Sequence, residues 1–477
     1  MKITVIGTGY VGLIQAACLA EIGHQVTCLD IDKEKIALLK AGKSPIYEPG
    51  IEELVAKTVA ARRLHFTTDY AAAIPGVEVA FIAVGTPSDA DGRADLTYVK
   101  AAAASIAKHL TGYAVIVNKS TVPVGTGDVV SDIIREHYQG EFDVASNPEF
   151  LREGSAIRDF MEPDRIVIGN ASQRAEAQLK AVYGPLKAPL LFTDIKTAEL
   201  IKYASNAMLA TQISFINSIA QICDVVGADV TQVAAGMKMD GRIGQRAFLN
   251  AGVGYGGSCF PKDVKALIQI AHDQGVHFEI LEAVEDVNAQ QRRILIERIR
   301  TAVRAVVPHS NPISSEVGTP VLSRVEGDSS EVNQEGVRQP VGNASALTGK
   351  RIALWGLAFK PETDDLREAP AMDVAQALID EGATVVAYDP VAGELAKKQL
   401  PDLELADSPL AAAKDVDALA ILTEWDEFGG LDLAELKKMM NHPTVIDGRN
   451  IYDLESVKKS GLTYHSIGRP AIKVDKE

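Results

Sequence analysis

The sequence predicts an α/β protein of two doubly wound, Rossmann-like domains joined by a helical central region. Three observations predict it. Short apolar runs of strand character alternate with Ala-rich helical stretches through the first part of the chain, two long helical stretches follow, and a second strand–helix–strand unit opens at Arg351. Alternation of that kind calls for mostly parallel sheets with helices on both faces. At 477 residues the chain is also too long for one ordinary core. The expected division is 1–196, a nucleotide-binding α/β domain; 197–307, the helical centre; 308–346, an insertion or linker; and 347–477, a second Rossmann-like domain.

The elements follow in order. Residues 2–6 (KITVI) read as a buried strand, then come GTGYVG, an apolar helix ending near Gly23, and a second strand, VTCLD. Further apolar strands fall at Val79–Val84, Ala114–Val117, Phe142–Ser146 and Arg165–Ile168. From Thr197 to Val226 the sequence is helical in character and free of Pro and Gly, and Phe278–Val307 reads the same way. Together these form a helical middle suited to a subunit interface. Composition then changes: residues 308–346 are rich in Pro, Ser, Gly, Asn and Glu and hold no Phe, Tyr or Trp, the mark of a flexible insertion. RIALWG begins the second unit, a helix lies around Met372–Asp380, and TVVAYD ends it. The first unit places Asp30 seven residues after Gly23, and the second places Asp389 seven after Gly382. The second copy lacks GxGxxG and carries GLAFKPETDDLR instead, so it is expected to bind a different ligand or bind differently.

Composition narrows the partners. Hydrophobic residues make up 47% and charged residues 23%, the balance of a globular chain. A formal charge of −16 repels polyanions, which argues against nucleic acid and anionic membrane surfaces. Cys18, Cys28, Cys223 and Cys259 form no CxxC pair and no zinc-like spacing, so no metal site is expected and a reducing, cytoplasmic setting fits best. The uncharged run Ile3–Ala20 could pass for an export signal, but three glycines interrupt it and no cleavage region follows.

Gly7, Gly9 and Gly12, with Tyr10 and Val11 between them, make GxGxxG directly after a strand and at the opening of a helix. The three glycines serve a tight turn, close approach of backbone to a pyrophosphate, and close packing of helix on strand. The helix N-terminus adds N–H donors and partial positive charge for the phosphates. Asp30 ends the second strand 18 residues after Gly12. A carboxylate there accepts from a ribose diol and repels a 2′-phosphate, which favours NAD over NADP. Ligands of such sheets sit beyond the carboxyl ends of the strands, and three polar loops stand there: Gly85-Thr86-Pro87, Ser120–Pro123 and Asn147–Glu153.

Between the long helical stretches lies GVGYGGSCFPKD, residues 252–263. Cys18, Cys28 and Cys223 sit among apolar neighbours and read as small core residues. Cys259 differs, because its loop is Gly-rich and Lys262 and Asp263 are close by, where positive charge favours a thiolate. Lys202 and Asn206 are four residues apart and share one helix face, in a segment too apolar (LIKYASNAML) for an ordinary surface lysine.

Taken together, GTGYVG, VGTPS, STVPVGT, SNPEFLREGSAIRDF, ELIKYASN, GYGGSCFPKD and GLAFKPETDDLRE closely resemble the motifs of the UDP-glucose/GDP-mannose dehydrogenase family. The resemblance covers residue 1 to about 306 and about 348 to near the C-terminus, and 308–346 departs from it in length. It implies a four-electron oxidation of a sugar nucleotide, with UDP-glucose the expected substrate and two NAD⁺ used per sugar. It also implies that Cys259 is the nucleophile, that Lys202 and Asn206 stabilise an oxyanion, and that Asp263 and Thr121 hold a water in the first oxidation. Glu149 would assist thioester hydrolysis. The cofactor would be held by the GxGxxG residues, Asp30, Lys35 beside the adenosine ribose, Gly85, Thr86, Thr121, Glu153 beside the nicotinamide, Lys262 and Arg367. The substrate would meet Phe150, Leu151, Arg152, Lys202, Asn206, Phe248, Gly256, Lys360 and Arg449, with Arg242 reaching across from a neighbouring subunit. That last feature implies a homodimer or larger assembly. Three other readings stay open to test: the same chemistry on another nucleotide sugar, such as GDP-mannose or UDP-N-acetylmannosamine; a two-electron hydroxyacid dehydrogenase; and a catalytically silent nucleotide-binding protein.

Overall fold

The computed structural model describes residues 1–89, 91–305 and 347–473. The insertion expected at 308–346 lies outside the described residues. Two sheets organise the chain. The first has eight strands: β1 (Lys2–Ile6), β2 (Gln25–Leu29), β3 (Leu64–Thr67), β4 (Val79–Ile82), β5 (Ala114–Asn118), β6 (Phe142–Ser146), β7 (Ile166–Asn170) and β8 (Leu190–Thr193). Their order is β3-β2-β1-β4-β5-β6-β7-β8, parallel except where β7 runs against β6. The second has six, all parallel: β9 (Arg351–Trp355), β10 (Thr384–Tyr388), β11 (Glu404–Leu405), β12 (Ala418–Ile421), β13 (Thr444–Asp447) and β14 (Thr463–Ser466), in the order β11-β10-β9-β12-β13-β14. The α/β class with two Rossmann-like sheets and a helical centre is therefore the observed one.

The strands are apolar on both faces because helices cover both faces. In β4, Val79 and Phe81 belong to one core and Ala80 and Ile82 to the other, the period-2 alternation of a doubly wound sheet. In each sheet the order of connections reverses between the first and fourth strands, β1/β4 and β9/β12. At such a switch point the loops diverge and leave a crevice. The three polar loops noted above follow β4, β5 and β6, on the same edge as the glycine turn after β1.

Between the sheets runs one helix, Ile195–Val226, whose 32 residues span about 48 Å at 1.5 Å per residue. Asp194 caps its start by accepting from Thr197 N at 2.9 Å, and Gly227, in the left-handed region, ends it. By length and apolarity alone it could cross a membrane. Its buried face nevertheless carries Glu199, Lys202 and Asn206, each partnered by protein groups. A second long helix, Glu279–Ala305, packs beside it. Ile216 and Ala220 of the first helix and Leu295, Ile299 and Val303 of the second share one core with Ile352 and Leu354 of β9. The helical centre thus covers one face of the second sheet, while the cores of the first sheet draw on residues before 193.

Candidate active site

The glycine turn after β1 has the shape a dinucleotide needs. A Cβ on Gly7 (φ +108°) would lie 2.4 Å from Ala83 O, and one on Gly12 would lie 2.0 Å from Gly7 O. Gly9 differs: a Cβ there meets nothing within 4 Å, so that side of the turn is open for a pyrophosphate to reach the backbone. Asp30 accepts from Thr8 N (2.7 Å) and Thr8 Oγ1 (2.6 Å). Burial opposes its charge, but these bonds and Asp32 N hold the carboxyl below its usual range. Thr8, unremarked in the sequence, therefore fixes the carboxylate from inside the motif. Lys35 stands 4.0 Å from Asp32 on the first turn of the next helix, and Thr86 Oγ1 donates to Thr121 O at 2.9 Å, tying the loops after β4 and β5 together. Gly85 has open space beside it, as Gly9 does. These residues fit an NAD cofactor.

Tyr10 joins this turn to the loop after β6. Its phenol meets Glu48, a buried carboxylate that also accepts from Gly154 N (2.6 Å) and Ala156 N (2.7 Å). Val11 is half-buried behind it. Sequence reading missed Glu48, since an acid in SPIYEPG carries no periodic or motif signal of its own.

Five residues named from the sequence form one cluster. Lys202 Nζ lies 2.7 Å from Glu149 Oε1, and both side chains are buried. Burial pushes the Glu149 carboxyl up, but the Lys202 ammonium and the Leu151 N–H outweigh it and hold the group low. One turn along the helix, Asn206 Nδ2 donates to Asp263 Oδ2 at 2.6 Å. Lys262 pairs with the other oxygen of Asp263. Cys259 caps the helix Phe260–Asp273, is partly exposed, and has its Sγ 3.5 Å from Ser258 Oγ. Its thiol is pushed up to about 11 by burial and by Glu149 and Asp263, against Lys202. This corrects the sequence expectation. Lys262 pairs with Asp263, and burial of the sulfur works against the thiolate.

The remaining candidates surround this cluster. Phe150 stacks under Arg165, 3.8 Å from guanidinium carbon to ring centre, with Lys202 Nζ at 5.4 Å. Arg152 pairs with Asp159 at 2.6 Å and is exposed. Glu153 accepts from Thr363 Oγ1 at 2.8 Å and lies 3.4 Å from Ser258 Oγ and 3.8 Å from Arg367. Lys360 donates to the Glu153 carbonyl, so the motif GLAFKPETDDLR of the second sheet closes over the β6 loop of the first. Gly256 and Gly257 admit that contact: a Cβ on the former would lie 2.2 Å from Glu368 O, and on the latter 2.8 Å from the Phe359 ring. Arg449 faces Gly252, its guanidinium donating to Leu422 O (2.8 Å) and Phe359 O (2.9 Å).

Two candidates are not gathered in. Arg242 is 90% exposed and pairs with Asp240, and Phe248 is half-exposed beside Gln212. Thr121 makes no side-chain bond to Asp263, whose oxygens are taken by Asn206 and Lys262. Sequence reading also missed the amides that hold the Gly-rich loop. Asn217 Oδ1 accepts from Gly252 N, Asn288 bonds both backbone groups of Tyr255, and Gln291 donates to Gly252 O. Their signal was amide residues on otherwise core-facing positions of the two long helices.

The echo at Asp389 resolves in the same terms. Its carboxylate is filled by Leu357 N, Ala358 N, Val391 N and Ala392 N, leaving none of Asp30's openness for a ribose.

Comparison with known proteins agrees with this division of labour. Residues 1–187 match the NAD binding domain of the UDP-glucose/GDP-mannose dehydrogenase family, 196–290 its central domain and 353–454 its UDP binding domain. The chain belongs to that family. Members similar to it include UDP-glucose 6-dehydrogenase TuaD of Bacillus subtilis, 48% identical over 99% of this chain and 94% of that one. The UDP-glucose 6-dehydrogenase of Rhizobium meliloti is also 48% identical, over 98% and 100%. Among solved structures, a UDP-glucose dehydrogenase from the hyperthermophilic archaeon Pyrobaculum islandicum superposes with a TM-score of 0.84 at 35% identity, covering 98% of each chain. In the terms of the UDP-glucose/GDP-mannose dehydrogenases, the first sheet is the NAD binding domain and the second the UDP binding domain, and Cys259 stands where they meet.

Proposed function

We propose that this chain oxidises the primary alcohol of UDP-glucose to the carboxylate, a four-electron reaction using two NAD⁺ per sugar through covalent intermediates on Cys259. The observation that carries the reading is the cluster of Cys259, Lys202, Glu149, Asn206 and Asp263 at the strand ends of an NAD binding domain. UDP-glucose is favoured because the curated relatives at 40–48% identity over nearly the whole chain are named for it.

Bound NAD⁺ supplies a hydride acceptor at each oxidation. The side chains do the rest. Asp263 and Thr121 hold a water at the alcohol in the first step. An aldehyde gives up a second hydride toward an acid once a nucleophile has added to its carbonyl, and the Cys259 thiol provides that adduct. Sulfur bonds to the carbonyl carbon, the thiol proton passes to water, the carbonyl π pair moves to oxygen, and the resulting oxyanion faces Lys202 and Asn206, donors worth roughly 3 kcal/mol each in such a role. The thioester formed next is released by water, with Glu149 as the base. Uridine diphosphate would be gripped by Phe150–Arg152, the Gly252–Gly257 loop, Phe248, Lys360 and Arg449.

The active form is a dimer or larger. Met208, Phe215 and Ile222 stand exposed at seven-residue spacing along the long helix, an apolar seam suited to a second copy. Arg242 is exposed, and would leave its pairing with Asp240 to serve a neighbour's site.

The test is a count. Purified protein with UDP-glucose and NAD⁺ is expected to yield two NADH per sugar. One NADH would reject the four-electron reading in favour of a hydroxyacid-type dehydrogenase, binding without absorbance change at 340 nm (the NADH band) would mean a silent binder, and brisk turnover of GDP-mannose beside little from UDP-glucose would overturn the substrate.

A further inference from the structure

One buried charge at the site has no part in that scheme. Lys119 follows β5 directly and is 6% exposed. Among the described residues its ammonium, with three N–H donors, has one acceptor, Asn147 Oδ1 at 3.1 Å. A buried ammonium so thinly partnered is costly, and a core needing only volume there would carry an apolar side chain. Asn147 is itself fixed on every side. Its N–H bonds Asn118 O (2.9 Å), its Nδ2 donates to Val167 O (2.7 Å), and the phenol of Tyr183 shares its Oδ1. Tyr183 in turn accepts from Gln15 on the helix of the glycine motif (3.1 Å). Two residues beyond Asn147 comes Glu149, so Lys119 grips the root of the turn that presents it. The charges of Glu149 and of Lys202 both act on Lys119.

We propose that Lys119 is a positioning residue for the hydrolytic half of the reaction: it fixes the Asn147–Glu149 turn through Asn147 and, by its own charge, sets how readily Glu149 takes a proton from water. The proposal rests on the covalent reading given above. In the step concerned, a water oxygen bonds to the thioester carbonyl carbon and one water proton passes to Glu149. The C–S bond then breaks, Cys259 leaves with the electron pair and regains a proton, and the acid is released. While Lys119 is charged, Glu149 lies among two ammonium groups and is a weak base. When Lys119 is neutral, Lys202 alone remains, and Glu149 accepts a proton more readily. The other groups facing this cluster are Cys259 and Asp263 from the cysteine helix, with Lys262 on Asp263, and Tyr183 from behind. Burial and Lys202 push Lys119 down to about 7, which puts the change of charge inside the working pH range.

Two variants of the full-length enzyme separate position from charge. Lys119→Gln keeps a donor for Asn147 and is always neutral, and Lys119→Arg is always charged. Each is assayed with UDP-glucose and NAD⁺ from pH 6 to 9 for kcat, for the NADH burst, and for the fraction of enzyme trapped as sugar thioester by acid quench and intact-mass measurement. The unmodified enzyme is expected to gain rate with a midpoint near 7. Lys119→Arg is expected to keep its burst within twofold, to turn over at least about tenfold more slowly at pH 8, and to accumulate thioester. Lys119→Gln is expected to lose the low-pH fall in rate and to show no accumulation at pH 6.5. An unchanged pH profile and adduct level in both variants overturns the proposal, as does an equal loss of the burst in both, which would mark a purely structural lysine. A Cys259→Ser control that still gave two NADH per sugar would instead overturn the covalent reading itself, and this proposal with it.

Discussion

At the scale of single residues, the site holds its charges at a cost that is readable in pH. Glu153 accepts from Thr363 and lies near Arg367, yet burial and the neighbouring Asp365 push its carboxyl up to about 7. The folded state therefore binds this proton more tightly than the unfolded chain, whose glutamate titrates near 4.3. Stability from this group is intact below that value and is lost as pH rises toward 7, after which the loss is constant. Glu153→Gln removes the ionisable group while keeping its size. It is expected to raise stability at pH 8 by about 1–2 kcal/mol and to change little at pH 4. Urea unfolding of both proteins at the two pH values measures this, and an equal difference at both would mean that the burial of Glu153 is not what destabilises.

At the scale of elements, the glycine turn and its helix separate folding from binding. Gly9 has an ordinary φ of −70° and open space where a Cβ would stand. Gly12 has Gly7 O 2.0 Å from that point. Gly9→Ala is therefore expected to leave stability within about 0.5 kcal/mol of the parent, since nothing in the protein is displaced. It should weaken NAD binding at least about tenfold, because the methyl stands where pyrophosphate must approach. Gly12→Ala is expected to lose about 2–3 kcal/mol of stability through forced separation of helix and strand. Denaturant unfolding beside NAD titration checks the pair, and a loss of stability at Gly9 equal to that at Gly12 would contradict the division. The same elements show where reading the sequence stopped short. β3 and β8 (LHFT and LLFT) carry no strong strand signal, being partly exposed and ending in Thr where the equally short β4 is buried throughout, and β11 to β14 of the second sheet likewise emerge only in the structure. The long helix was legible almost to its ends, because 32 residues without Gly or Pro between a capping Asp and a terminating Gly leave no other choice.

At the scale of the whole molecule, the two sheets depend differently on the centre. The cores of the first sheet are built from residues before 193, while one face of the second is completed by Ile216, Ala220, Leu295 and Ile299 of the long helices. The helices present their other surface outward, with Met208 58%, Phe215 48% and Ile222 56% exposed. Phe215→Asp, placing a charge at the middle of that seam, is expected to shift the proposed dimer toward monomer in sedimentation velocity without unfolding the chain. A chain already monomeric before the substitution would remove the assembly and, with it, the role given to Arg242.

The sequence by itself determined the fold class, the glycine turn with its Asp30, and the set of chemically able residues. Each of these is local: a turn that only glycine fits, a period that only one element satisfies, a thiol in a Gly-rich loop among charged residues. Only the tertiary structure decided which charges cancel. Lys262 goes to Asp263 rather than to Cys259, Glu149 goes to Lys202, Asp389 is closed by four backbone N–H groups where Asp30 stays open, and Lys119 is drawn into the cluster from a strand end. The reason is physical. Burial and most of this pairing depend on distances between segments tens of residues apart in the chain, and side-chain composition does not encode those distances until the sheets and the helices between them are in place.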